Sequence, residues 1–213
     1  MSDTLIIDTT SNLVREPVQC RDPYDHLGPE EWVQKQIEYG RIESNISGRG
    51  LLPFIQELSG DLVGCEIGVC HGFTTEYFLK NTPTIKKVYV VDNYPAFVDW
   101  DGTRITAERQ EVTKRLCKSK LEKFGDKVVF AYKDSVSFAQ TLEDDSLDYV
   151  FVDGDHSYEA TLADIQNYWP KVKKGGIFAG HDINLTSVDA AVKEFFKETP
   201  VKIVENNAWF LIK

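Results

Sequence analysis

Two short stretches hold the residue types that could do chemistry. They are Asp153-Gly154-Asp155-His156-Ser157-Tyr158 and His181-Asp182. Each follows an apolar run of strand type, Leu147 to Val152 and Ile177 to Gly180, so each delivers its polar side chains to the C-terminal end of a strand. If those strands are neighbours in a doubly wound sheet, Asp153, His181 and Asp182 converge, and two carboxylates with an imidazole form a divalent-metal site. Asp155 and His156 follow within one turn, where either could take a proton from a substrate hydroxyl. Taken singly, each element also has an ordinary role: Asp153-Gly154 as a turn, Asp155 as a helix cap, His181-Asp182 as a polar loop. Taken together beside a nucleoside site, they read as a catalytic constellation.

That nucleoside site is the second signal. Leu62 to Ile67 reads as a strand, and Gly68-Val69-Cys70-His71-Gly72 as a tight turn into a helix that Thr74 or Thr75 could cap. Glycines let the backbone approach a ligand closely, and a helix start offers unpaired N–H groups. The pattern Glu66-x-Gly68-x-Cys70-x-Gly72 lacks the middle glycine of the dinucleotide fingerprint, which argues against a pyrophosphate packed on the turn. A second strand, Val88 to Val91, ends on Asp92, where a carboxylate can accept both ribose hydroxyls. A third, Val128 to Tyr132, leads to Asp134-Ser135, a pair that can meet an adenine edge and cap the next helix as well.

The elements that position these residues form an α/β chain. Its 213 residues suit one sizeable domain, and we expect an N-terminal arm and helical cap over 1–50 before a core over 51–213. A helix from Pro29 to about Tyr39 should turn Trp32, Val33 and Ile37 inward, and a short one follows from Leu51 to Leu58; these pieces could be a lid or edge packing. The segment from Asn93 to Gly102 is aromatic and without periodicity, so Tyr94, Phe97 and Trp100 are candidate substrate or adenine contacts. Helices are expected over Thr103 to Phe124, Tyr158 to about Trp169 and Ser187 to Lys197, with Gly175-Gly176 as punctuation between elements. Val201 to Val204 and Ala208 to Ile212 flank Glu205-Asn206-Asn207 and read as a closing antiparallel hairpin.

Composition narrows the partners. A net charge of −10 with dispersed lysines and arginines argues against nucleic acid. No run of apolar residues suffices to cross a membrane, so no membrane partner and a cytoplasmic location are expected. Cys20, Cys65, Cys70 and Cys117 lack the spacing of a disulfide framework and read as reduced thiols. A zinc cluster of Cys65, Cys70 and His71 would lack a fourth ligand.

The order Val63-Gly-Cys-Glu66-Ile-Gly68-Val-Cys-His-Gly72, Asp92, Asp134-Ser135, Phe151-Val-Asp153-Gly-Asp155-His156-Ser-Tyr158, Lys174-Gly175-Gly176 and Gly180-His181-Asp182 resembles the class I S-adenosylmethionine-dependent methyltransferases. It is most similar to the divalent-cation-dependent O-methyltransferases of small molecules and sugars. The resemblance covers about residues 50–213. It implies a Rossmann-like doubly wound sheet of seven strands, mostly parallel with a C-terminal antiparallel hairpin, in three α/β/α layers. It implies S-adenosylmethionine contacts at Glu66, Gly68, Gly72, Asp92, Asn93, Asp134, Ser135 and Asp153, and a metal, Mg²⁺ by expectation, at Asp153, His181 and Asp182. Relatives more usually carry acids or an amide where His181 stands. The general base of such enzymes lies just beyond the first metal acid, which points to His156 or Asp155; His156 is favoured because an imidazole titrating near about 6.5 suits proton abstraction. The acceptor is then a hydroxylated small molecule, sugar or phenol. Two other readings are a non-catalytic binder of an adenosine ligand and a nicotinamide-dependent oxidoreductase, although no Tyr-x-x-x-Lys pair occurs.

Overall fold

The computed structural model describes residues 22–98, 103–197 and 199–213. The early expectations for Cys20, Trp100 and residues 1–21 lie outside these. Helices α1 (Pro29–Gly40) and α2 (Leu52–Glu57) precede the first core strand, β1 (Leu62–Ile67). Then come α3 (Phe73–Asn81), β2 (Ile85–Val91), the two-residue strands β3 (Phe97–Val98) and β4 (Arg104–Ile105), and α4 (Ala107–Leu121). The chain continues through β5 (Val128–Ala131), α5 (Ser135–Ala139), β6 (Leu147–Val152), α6 (Tyr158–Tyr168) and β7 (Val172–Gly180). It closes with α7 (Thr186–Phe196), β8 (Lys202–Ile203) and β9 (Trp209–Ile212).

Seven strands form one sheet in the order β5-β2-β1-β6-β7-β9-β8. Pairings from β5 to β7 are parallel, while β9 runs antiparallel to both β7 and β8. The expected hairpin is present, with β9 inserted between β7 and β8. Period-two alternation divides the sheet's apolar side chains between two cores. Val150, Val152 and Phe178 pack under α5, α6 and α7 with Ile165, Tyr168 and Val192. Tyr149, Phe151 and Ile177 face the other way, against Leu51 just before α2 and Ile55, Phe78 and Leu121 from α2, α3 and α4. The result is the three-layer arrangement expected.

The order reverses between β1 and β6, each of which carries a crossover to the opposite side. A crevice opens at such a reversal, beyond the C-terminal strand ends. The glycine turn, Asp92, Asp153 and His181 all follow directly from strands at or beside it.

Several boundaries differ from the sequence expectation, each for a local reason. The long helix begins at Ala107 rather than Thr103, because Thr106 caps it by accepting the Arg109 N–H, while Arg104–Ile105 pair with Phe97–Val98. The aromatic segment therefore contains a small hairpin. Gly175-Gly176 lie inside β7 instead of ending an element, since Gly175 N–H and Gly176 C=O pair with Lys213 and extend the sheet. Neither Thr74 nor Thr75 caps α3; Gly72, in the left-handed region at φ 72°, holds the cap position.

Before the core, α1 turns Trp32, Val33 and Ile37 inward as expected and packs them on Ile105 and Val112. Arg109 locks this contact: its guanidinium bonds Asp25 Oδ1 at 2.8 Å and lies over the Trp32 ring at 4.6 Å. Between edge packing and a lid, the geometry is that of a segment packed on α4.

Candidate active site

The glycine turn is built by close approach. A Cβ on Gly68 would lie 2.1 Å from the Asp153 carbonyl oxygen, and its φ is +76°. Only glycine lets the turn after β1 rest on the end of β6. Beneath the turn, Glu66 is buried in β1 and its Oε2 accepts a short hydrogen bond from the Thr75 hydroxyl. Burial pushes this carboxyl up to about 8 against that bond, with Asp153 and Asp92 adding to the rise. Glu66 is therefore mostly neutral near pH 7.

Asp92 clamps the turn to the end of β2. Its Oδ2 accepts the Cys70 N–H at 2.9 Å and its Oδ1 the Tyr94 N–H at 2.8 Å. Tyr94 closes the clamp by donating its hydroxyl to the Cys70 carbonyl at 3.0 Å. Both carboxylate oxygens retain capacity to accept a further hydrogen bond. Asn93 is exposed beside it, as is Phe97 on β3.

Asp134 caps α5 as expected, its Oδ1 accepting the Ser137 N–H at 2.9 Å. Ser135 is held from beneath, its hydroxyl donating to Asp164 Oδ1 at 2.5 Å while its carbonyl accepts the Tyr168 hydroxyl at 2.8 Å. Asp164 escaped sequence reasoning. Burial lifts its carboxyl to about 6, against the Ser135 hydrogen bond. The signal was present: Thr161, Asp164, Ile165 and Tyr168 share the inward face of α6, so an acid sits on an otherwise core-facing stripe.

The strand-end cluster assembles as its sequence spacing implies. Because β6 pairs with β7 up to Val152 opposite Gly180, the residues after both strands emerge together. His181 Nδ1 lies 3.5 Å from Asp153 Oδ1 and 2.9 Å from Asp182 Oδ2. His156 Nε2 lies 2.9 Å from the same Asp182 oxygen and 3.8 Å from Asp153 Oδ1. Asp155 stands apart: it is exposed, and its Oδ1 accepts the Ser157 N–H at 2.8 Å.

Backbone contacts fix these side chains. His181 N–H pairs with the Val152 carbonyl, and the Trp209 indole donates to the His181 carbonyl at 3.2 Å. Ser187 does the same for the His156 carbonyl at 2.6 Å. Asp182 adopts φ 54°, a left-handed conformation that costs a non-glycine residue energy and turns its carboxylate back toward both imidazoles.

Charge is tightly coupled in this cluster. The Asp153 and Asp182 carboxylates lift His156 to about 10 against its burial. Burial lowers His181, but the same carboxylates outweigh it and raise the ring to about 10. Burial works to raise Asp182, yet the two imidazoles hold it well below the usual carboxylate range. The expectation of an imidazole titrating near neutrality is thus not met at His156, beside these two carboxylates.

The donors also fit a cation. His156 Nε2 and His181 Nδ1 are both buried and make no aligned hydrogen bond, despite carboxylate oxygens 2.9 Å away. Separation satisfies charge here without satisfying direction, as when donors face a shared third atom. Among the described residues, Asp153, His181 and Asp182 are the group compact enough to hold a metal. Cys65 lies in the core of β1, and Cys70 Sγ meets His71 Nδ1 at 3.0 Å, so the zinc alternative gains no support.

With this geometry, comparison with known proteins is informative. A family model described as a methyltransferase domain matches residues 65–183, from β1 through the His181-Asp182 pair. The chain belongs to this methyltransferase family. The match sets aside the nicotinamide-dependent oxidoreductase reading and agrees with the class I, S-adenosylmethionine-dependent fold. No curated protein matches the sequence. Among solved structures, a Corynebacterium glutamicum protein is 14% identical with a TM-score of 0.58, covering 87% of this chain and 88% of its own. The O-methyltransferase NovP is 20% identical with a TM-score of 0.56, covering 84% of this chain and 79% of its own. The TDP-rhamnose 3′-O-methyltransferase CalS11 is 14% identical with a TM-score of 0.55, covering 84% and 80%. At such identities the likeness is one of fold. Among the described residues, no helix of this methyltransferase is long and apolar enough to cross a membrane.

Proposed function

We propose that this methyltransferase transfers the methyl group of S-adenosylmethionine to a hydroxyl of a small molecule or sugar, assisted by a divalent cation. The observation that carries the reading is the meeting of Asp153, His156, His181 and Asp182 at the ends of β6 and β7, beside the switch-point crevice. A protein that merely bound an adenosine ligand would have no use for that cluster. The O-methyltransferases NovP and CalS11, the latter acting on TDP-rhamnose, share the fold and support a hydroxylated acceptor.

In this reading Gly68 and Gly72 shape the turn that receives the methionine portion of the cofactor, and Glu66 lies beneath it. Asp92 holds the ribose, with Asn93 beside it. Asp134 and Ser135 approach the adenine, and Asp164 positions Ser135 from below. Asp153 sits between cofactor and cluster, where β1 and β6 adjoin.

Asp153, His181 and Asp182 would hold the cation, which when bound supplies Lewis acidity that lowers the pKa of an acceptor hydroxyl. The residues do the rest by positioning. As the acceptor oxygen forms its bond to the methyl carbon, the carbon–sulfur bond breaks and its electron pair stays on sulfur. The hydroxyl proton leaves to the cluster, of which His156 is the most open member at 36% exposure, with Asp155 the alternative. The Asp153 and Asp182 carboxylates favour the protonated form of His156, so it accepts another group's proton only after losing its own.

Calorimetric titration of S-adenosylmethionine into the protein, with cation and again with chelator, tests this directly. Micromolar binding, followed by methyl transfer to a panel of hydroxylated acceptors that chelation abolishes, is the expected result. Absence of cofactor binding under both conditions would refute it.

A further inference from the structure

The strand-end cluster contains one more donor than the three residues assigned to the cation. First-row ions bind imidazole and carboxylate at about 2.0–2.2 Å, so donors sharing one ion stand about 3.0–3.5 Å apart in octahedral or tetrahedral geometry. His181 Nδ1 is close to this spacing, at 2.9 Å from Asp182 Oδ2 and 3.5 Å from Asp153 Oδ1, and His156 Nε2 approaches the same Asp182 oxygen at 2.9 Å while standing slightly wide of Asp153 Oδ1, at 3.8 Å. Both nitrogens are buried and lack a hydrogen-bond partner. The Ser187 hydroxyl and the Trp209 indole tether the backbones that carry these rings, on α7 and β9. His156 lies outside the most compact trio and is the more open of the two rings, but its Nε2 shares the Asp182 oxygen with His181 Nδ1 at the same 2.9 Å.

Donor chemistry then bears on which ion is taken. Mg²⁺ demands oxygen ligands in near-ideal octahedra and keeps several waters. Imidazole suits the later divalent transition ions, and affinity rises along the series from Mn²⁺ toward Cu²⁺. We infer that His156 is a fourth donor, and that the set of two imidazoles and two carboxylates takes a divalent transition ion such as Fe²⁺, Co²⁺ or Zn²⁺ in preference to Mg²⁺. This rests on the cation-assisted reading of the same site and changes both the expected ion and the role of His156. A histidine so committed has no lone pair left to act as a separate base.

The test uses Co²⁺ as a spectroscopic probe on the full chain after chelation and dialysis, with S-adenosylmethionine affinity measured on the same samples. One Co²⁺ per chain should bind, with visible d–d absorption that excess Mg²⁺ leaves unchanged. His156→Ala and His181→Ala should each weaken Co²⁺ by at least about tenfold, no less than changes beyond the ligand shell cost. Cofactor affinity close to wild type in both variants would show that they fold. Displacement of Co²⁺ by equimolar Mg²⁺ would overturn the inference. So would an unchanged Co²⁺ affinity in His156→Ala; lost turnover in that variant would then return His156 to the role of base. Absence of Co²⁺ binding with cofactor binding intact would overturn the donor set alone, whereas loss of both would remove the proposed function with it.

Discussion

Replacing Glu66 with Gln removes one ionisable group from the centre of the sheet and nearly nothing else. The side chain is 3% exposed, its hydrogen bond comes from the Thr75 hydroxyl, and an amide oxygen can accept it equally. In the folded protein burial holds the carboxyl at about 8, against an ordinary value of 4.5. The native state therefore keeps a proton that the unfolded chain releases, so stability is full below about pH 4.5 and declines as pH rises to about 8. At ~1.4 kcal/mol per pH unit, the whole span is worth roughly 5 kcal/mol. Asp164 behaves likewise but has mostly titrated by pH 6.5, above its own value of about 6. His156 and His181, raised to about 10, also lose stability between pH 6.5 and 8, so Glu66 is read as the difference between variant and wild type. Over that interval this one group should cost the wild type about 1.5 kcal/mol. Urea unfolding of cofactor-free protein with chelator at both pH values measures it. The two proteins share every other titrating group, so the difference between their pH slopes reports Glu66. Glu66→Gln should lose about 1.5 kcal/mol less than the wild type; parallel slopes would refute the argument that this acid is buried in its neutral form.

Other perturbations follow from the same geometry. Asp92→Ala should weaken S-adenosylmethionine by at least about tenfold, since a hydrogen bond to a charged group contributes about 1.5–3 kcal/mol; unchanged calorimetric affinity would remove Asp92 from the cofactor site. Gly68→Ala puts a methyl group 2.1 Å from the Asp153 carbonyl oxygen in a left-handed backbone. The conformation alone costs about 1–3 kcal/mol, so a lowered melting temperature together with lost cofactor binding is expected, and normal values of both would contradict the close approach. Arg109→Ala removes a buried guanidinium bonded to Asp25 and to the Arg104 carbonyl. It should cost about 2–4 kcal/mol and open the segment around Asp25 to proteolysis, and wild-type resistance would show that α1 does not depend on this lock.

Much of the architecture was legible because it rests on short-range patterning. Apolar runs such as Leu147–Val152, ending in polar residues, mark strands that are buried on both faces, and such strands imply a parallel sheet covered by helices. Glu205-Asn206-Asn207 between two apolar runs marked the closing hairpin, and both asparagines do take positive φ, at 58°. Boundaries were less legible where the deciding partner is remote. Gly175 and Gly176 look like punctuation until Lys213 pairs with them. Thr103 to Ile105 look helical until Phe97–Val98 supplies a strand.

The identity of the chemistry-bearing residues, their delivery to strand ends and the methyltransferase architecture were all determined by the sequence, because period and residue type act locally. Tertiary structure decided what those residues are to one another. It placed both imidazoles within 2.9 Å of a single Asp182 oxygen and so raised His156 to about 10, where residue type alone implied a base near neutrality. It buried Glu66 to make a neutral acid of it, and it put Asp164 beneath Ser135. Charge and solvation depend on distance and burial through the whole fold, and neither is encoded in the neighbours of a residue along the chain.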